Sequence, residues 1–268
     1  LVQEKSKQGV TFAVAREQAA LELGAESDVL KKPNDNLGIE YITAAKKLEL
    51  PIEFCCIKRQ GAGHDSGEIS GGYVSSSFIR KELIKGNIGY TERFMPREIR
   101  GIITPNNIAD ISRLERAVLC ALRTKNADEL KNLPDISEGL ENKIYFSARV
   151  AKSLDELYNM IKTKRYTMAR IRRLVLSAFL NFDNSFFMHT PPYVRVLGFG
   201  KKGETHFKNI QSAIPVITRA SQIKALDSDS QKVFETECRA TDIYSLSLPE
   251  PVECGSEQRM KILKTEEL

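Results

Sequence analysis

The chain has 268 residues, 41% of them hydrophobic and none of them tryptophan, enough to bury a proper core and to divide into two domains. No apolar run approaches the ~20 residues of a membrane span, and the opening Leu1–Lys7 lacks the apolar centre of a signal peptide, so a cytoplasmic protein with no membrane partner is expected. Forty Lys and Arg against 35 Asp and Glu leave a formal charge of +5, too small to name a partner, so the distribution of charge has to carry that question.

The first third alternates helix and strand signals. An Ala-rich helical pattern runs from about Val10 to Leu23 and stops at Gly24. Lys31–Asn36 reads as a turn, with Pro33 blocking continuation, and a second helix is expected from about Leu37 to Lys47. Ile52–Ile57 is short, apolar and β-branched at both ends, as expected of a buried parallel strand, and Lys58-Arg59 stands at its carboxyl end. Ligands of open α/β sheets bind beyond the carboxyl ends of strands, which places Arg59 where a basic residue could meet a nucleotide. Gly61, Gly63, Gly67, Gly71 and Gly72 follow. They suit either close backbone approach to a ligand or an ordinary surface loop.

Ser75-Ser76-Ser77-Phe78-Ile79-Arg80-Lys81 is the most informative stretch. Hydroxyls at Ser75 and Ser77, then an arginine one turn into a helix, make a phosphate-binding arrangement. First-turn N–H groups and the helix dipole favour an anion, and Arg80 adds a charged fork. The plainer reading, Ser77 capping a surface helix, fits the same letters.

Beyond Pro96 the pattern becomes helical, over about 109–123, 137–152, 154–162 and 168–182. In the last, Ile171, Leu174, Val175, Ala178, Phe179 and Phe182 share one face while Arg170 and Arg173 take the other, with Thr167 as N-cap. No acidic residue occurs between Glu156 and Asp183, so Lys162, Lys164, Arg165, Arg170, Arg172 and Arg173, with Tyr166 among them, could neutralise phosphates and stack one base of an RNA. A solvated helical face is the competing reading. Tyr193–Gly200 reads as one strand, a helix is expected near Lys208–Ser212, and the tail from Gly255 as polar and frayed. Cys55, Cys56, Cys120, Cys238 and Cys254 form no C-x-x-C, and His64, His189 and His206 are scattered, so reduced thiols and no metal site are expected.

Lys32-Pro33-Asn34-Asp35-Asn36-Leu37-Gly38-Ile39-Glu40-Tyr41, Lys58-Arg59, the Ser75–Lys81 stretch, Lys162–Thr167, Pro192–Gly198 and Ile243–Leu246 come in an order that resembles the bacterial tRNA(Met) cytidine acetate ligases over nearly the whole chain. The resemblance implies an α/β fold in which residues 1–98 are the C-terminal portion of a Rossmann-like, HxGH-type nucleotidyltransferase domain that binds ATP. Residues 99–268 would be a mainly helical tRNA-binding domain. It implies a ligase that activates acetate as acetyl-adenylate, with ATP as co-substrate and Mg²⁺, and acetylates N4 of the wobble cytidine of elongator methionine tRNA. By the same resemblance Asn34, Arg59, Ser75, Ser77 and Arg80 bind ATP, Arg59 and Arg80 stabilising its phosphate charge, and the helical second part contacts tRNA, which would make tRNA the partner expected for the acid-free basic segment from Lys162 to Arg173. Asn36 stands where the family has an aliphatic residue, and Phe78 where it has a small polar one. The H-N-G-H signature is absent, so a missing leading part, and a chain inactive by itself, are expected. A small-molecule nucleotidyltransferase and a non-catalytic RNA-binding module are the rival readings.

Overall fold

The computed structural model describes every residue except 8, 11, 26–27, 59–68, 70–71, 138, 187–189, 209 and 266–268. The chain opens with two packed helices, α1 (Val2–Ser6) and α2 (Phe12–Glu22), in which the small Ala15 and Ala19 are buried. Lys5 pairs with Glu22 between them. A 3₁₀ turn at Asp28–Lys31 leads into α3 (Pro33–Lys47), and Arg16 reaches Glu40 at 2.5 Å to tie α2 to α3. The helix thus starts at Pro33, inside the expected turn. Proline's fixed φ suits the first helical position, where its missing N–H costs nothing.

The expected strand at Ile52–Ile57 forms neither helix nor strand, and its residues are exposed, Ile57 to 90%. A buried parallel strand needs neighbours on both edges and cover on both faces. The described residues supply neither. The chain resumes its helices at α4 (Ser76–Ile84) and the short α5 (Ile88–Thr91), which continues into a 3₁₀ turn at Glu92–Phe94. Phe78, Tyr90 and Phe94 pack edge-on or tilted with centroids 5.7–6.2 Å apart, holding α4 against this turn.

Five helices build the main core: α6 (Glu115–Thr124), α7 (Ala127–Lys131), α8 (Leu140–Val150), α9 (Leu154–Ile161) and α10 (Met168–Leu180). Leu122, Leu130, Ile144, Leu157, Ile161, Ile171 and Leu174 are almost fully buried within it. These helices fall in the expected windows, with α7 added, and Thr167 does cap α10, its Oγ1 accepting from the Arg170 N–H at 3.3 Å. Asn181, left-handed at φ +56°, ends that helix.

The expected strand at Tyr193–Gly200 divides into β1 (Val194–Arg195) and β2 (Gly198–Gly200), followed by α11 (Lys201–Lys208) and β3 (Val216–Ile217). β1 pairs with β3 in parallel. The tail, far from fraying, forms α13 (Ser256–Arg259) and β4 (Leu263–Thr265), which pairs in parallel with β2. A Cβ at Gly198 would lie 3.1 Å from both the Cβ and the carbonyl oxygen of Leu263, so a side chain there would crowd this pairing. Between them runs the longest helix, α12 (Ser228–Ser245), packed on Tyr193, Ile217 and Ile223 through Phe234 and Cys238. Its end is tied to the helical core, because Ser247 O accepts from the Asp110 N–H at 2.9 Å and from Arg113 Nη1 at 2.6 Å. The architecture is mixed α/β and mostly helical. Both sheets of the described residues lie in the half expected to be helical.

Candidate functional site

At the start of α4 the cap is Ser75, in extended backbone (φ −74°, ψ 151°), whose Oγ accepts from the Phe78 N–H at 3.1 Å. Ser77, the residue expected to cap, lies inside the first turn. Its Oγ receives Nη2 of Arg80 at 3.4 Å. Ser75 is buried, Arg80 is exposed, and no acidic residue occupies the first turn. An anion at this helix start would meet first-turn N–H dipoles and the Arg80 guanidinium, with no carboxylate in that turn to oppose it. The aromatic cluster behind Phe78 fixes the turn in place. Gly72, at φ +83°, shapes the approach to it.

Asn34 is the second residue of α3 and is exposed, so it too stands in a helix's first turn rather than in a loop. Arg59 and the glycines Gly61, Gly63, Gly67 and Gly71 lie outside the described residues, as do His64 and His189. Among the described residues no group of three or more His, Cys, Asp or Glu could hold a metal ion. All five cysteines are free thiols, and burial pushes the Cys238 thiol up from its ordinary value. No helix of the described residues is long and apolar enough to cross a membrane.

The basic segment separates into anchored and presented side chains. Lys162 turns back on its own loop, donating to Thr163 O at 2.8 Å and Tyr166 O at 2.5 Å. Tyr166, expected to offer a stacking ring, is only 7% exposed: the apolar ring packs into the helical core and its hydroxyl reaches Ser137 O at 3.4 Å. Arg170 lies over that ring at 5.0 Å. It donates through Nε and Nη2 to Asp135 O at 3.2 and 2.6 Å, and through Nη2 to Ser137 Oγ at 3.0 Å. The Asp135 carboxylate is 3.3 Å from Arg170 and 3.5 Å from Arg173. A stretch free of acids in sequence thus receives its countercharge in space. Lys164 and Arg165 are exposed, and they line a cavity of about 420 Å³ together with Lys143 and Gly139 at the start of α8. Nothing in the sequence spacing links Lys143 to that pair. A larger cavity, about 710 Å³, opens between α6, α9, α10 and α12.

The profile of the HIGH Nucleotidyl Transferase family matches residues 1–259, and the chain belongs to that family. The match begins at residue 1 and lends no support to the expected loss of a leading part. The tRNA(Met) cytidine acetate ligase of Thermoanaerobacter sp. strain X514 is 35% identical over 256 residues, covering 92% of this chain and 64% of that protein. The tRNA(Met) cytidine acetate ligase of Caldanaerobacter subterraneus subsp. tengcongensis is 34% identical over 261 residues, with the same shares. The chain therefore spans less than two thirds of the length of these curated relatives. Apo TmcAL of Thermotoga maritima matches 99% of this chain and 70% of its own at a TM-score of 0.87 and 25% identity. The same protein bound with alpha-thio ATP matches 98% of this chain and 69% of its own at a TM-score of 0.85.

Proposed function

We propose that this chain works as an ATP-dependent tRNA(Met) cytidine acetate ligase in the cytoplasm. Residues 1–98 would contribute to the nucleotide site and residues 99–268 would hold tRNA. The observation that carries the reading is the similarity along 92% of the chain to ligases of that name, joined to a fold shared with a protein that binds an ATP analogue.

The chemistry asks for what the α4 start offers. An acetate oxygen attacks the α-phosphorus of ATP, the bond to the bridging oxygen breaks, and pyrophosphate leaves. Charge growing on the phosphate oxygens would be met by Arg80 and Arg59, with first-turn N–H groups beside Ser75 and Ser77 cradling the anion and Asn34 orienting the nucleotide. Mg²⁺ would accompany the triphosphate as part of the substrate. In the second step N4 of the cytidine attacks the acetyl carbon, AMP leaves, and N4 gives up a proton. Neither step needs a covalent enzyme nucleophile. The second needs the cytidine positioned, a task that suits Lys164, Arg165 and Arg173, with Lys162, Arg170 and Tyr166 shaping the loop that presents them.

The test is acetyl transfer from labelled acetate to tRNA(Met) with ATP, alongside acetyl-adenylate formation without tRNA. ATP turnover on a small molecule with no response to tRNA would favour a small-molecule nucleotidyltransferase. RNA binding with no ATP binding would favour a non-catalytic module.

A further inference from the structure

The cavity between α6, α9, α10 and α12 is not used by the acetyl-transfer reading. Leu154, Leu176, Phe179 and Ile243 make much of its wall, and Tyr158 and Tyr244 face it from α9 and α12. Its volume of about 710 Å³ is in the range of small-ligand pockets and far from that of a groove for a partner helix. At its edge stands Arg172, exposed, with its guanidinium 5.7 Å from the centre of the Tyr158 ring. Among the described residues Arg172 makes no hydrogen bond or ion pair, in contrast to Arg170 and Arg173 on the same helix. Two carboxylates also line the space. Glu115 already accepts the Leu154 N–H at 2.9 Å, while Asp155, exposed in the first turn of α9, pairs with no cation among the described residues.

A planar ring bearing amine donors and one phosphate matches this set. The apolar and aromatic walls take the ring, Asp155 accepts from an exocyclic amine, and Arg172 meets the phosphate, which the two carboxylates keep from entering further. We propose that the cavity takes one unstacked nucleotide of a bound RNA, its base inside and its phosphate at Arg172. The inference rests on the tRNA reading above and adds a base-capturing pocket to it. RNA is favoured over a free nucleotide because Arg172 adjoins Arg173 on α10, which continues the basic segment, so a strand passing that segment reaches the cavity's edge with its backbone already held.

Anisotropy of fluorescein-labelled tRNA(Met), read over a series of salt concentrations, tests it with Ala240→Trp and Leu176→Trp, which fill the cavity, and with Arg172→Ala. Trp variants with the wild-type thermal midpoint are expected to bind about tenfold more weakly with an unchanged salt slope, the signature of a lost stacking contact. Arg172→Ala is expected to weaken binding and to lower the slope by about one. Folded Trp variants that bind like wild type would overturn the inference while leaving the tRNA reading intact. Wild-type protein that fails to bind tRNA at all would overturn the reading beneath it. Should both Trp variants fail to fold, the Arg172→Ala slope decides, an unchanged slope overturning the proposal. Free AMP or CMP that raises the thermal midpoint of wild type but not of Ala240→Trp would assign the cavity to a free nucleotide and overturn the RNA occupant.

Discussion

Arg123 and Arg149 cap each other's helices. Arg123, in the last turn of α6, donates to Ala148 O at 2.9 Å and Ala151 O at 2.8 Å, at the end of α8. Arg149, in the last turn of α8, lies within 3.4 Å of Arg123 O and 3.2 Å of Lys125 O at the end of α6. Tyr145 supports Arg149 from below, 3.3 Å from the guanidinium carbon to the ring centre. Carbonyls at a helix end lack intrahelical donors, and cations there also oppose the negative end of the dipole. Each arginine therefore contributes to the helix it sits on and to its neighbour.

Arg123→Ala should cost more than Arg149→Ala, because its two bonds are shorter and partly buried. About 2 kcal/mol for the first and about 1 kcal/mol for the second are the expected losses in urea denaturation. The double variant should lose less than their sum, since the two residues share carbonyl neighbourhoods. Equal, negligible losses would show the pair to be ornamental.

The anchored and presented cations of the basic segment should behave differently. Lys164→Ala and Arg173→Ala are expected to lower the salt slope of tRNA binding by about one each with little change in thermal midpoint. Lys162→Ala and Arg170→Ala should instead destabilise the helical core by about 1–2 kcal/mol, because each removes one part-buried hydrogen bond, Lys162 to Tyr166 O and Arg170 to Ser137 Oγ, together with exposed ones to backbone carbonyls. Asp135→Asn should strengthen tRNA binding by removing the carboxylate beside Arg170 and Arg173. Equal effects of all five substitutions on the slope would contradict this division.

At the α4 start, Arg80→Ala is expected to slow acetyl-adenylate formation by roughly 2–4 kcal/mol of transition-state stabilisation, and Arg59→Ala likewise. Ser75→Ala removes the N-cap and should cost about 1 kcal/mol of stability. A Ser75→Thr variant keeps the acceptor and should restore it. Unimpaired adenylate formation in both arginine variants would remove this turn from the site.

Acid sensitivity follows from two caps. The backbone N–H of Ser112 holds the Asp110 carboxyl below its ordinary value, and the backbone N–H of Ser230 does the same for Asp227, with distances of 2.9 and 2.7 Å. A carboxylate depressed by folding stabilises fully above the ordinary Asp value near ~3.9 and loses that contribution as pH falls through its folded value. Stability should therefore fall below about pH 4. Asp227→Asn keeps an acceptor at the start of α12, so it should flatten that acid limb while changing little at pH 7. An unchanged acid limb in urea titrations of both Asp110→Asn and Asp227→Asn would refute the assignment.

The helical core was readable because Leu, Ile and Val recur at helical spacing from Leu114 to Ala178. α12 was missed for the opposite reason. Its buried face is largely Ser230, Thr236, Cys238 and Ser245, which carry little hydrophobic signal, and only Asp227 as a cap announced it. Ile52–Ile57 has strand composition, but composition does not supply ladder partners, and the described residues give it none. The division of Tyr193–Gly200 between two sheets depends on Val216 and Leu263, residues far away in sequence. The helix start at Ser75–Arg80 was legible because capping is local, although the cap is Ser75 and not Ser77. Asp135 and Lys143 were not, since only tertiary packing brings them to Arg170 and to Lys164.

The most direct measurement is mass spectrometry of tRNA(Met) after incubation of the protein with ATP and isotopically labelled acetate, with pyrophosphate release followed in parallel. The account predicts one labelled acetyl group on N4 of the wobble cytidine, dependent on ATP and abolished or strongly reduced by Arg80→Ala. Protein that binds tRNA(Met) and ATP yet leaves that cytidine unmodified, with no acetyl-adenylate formed, would contradict it.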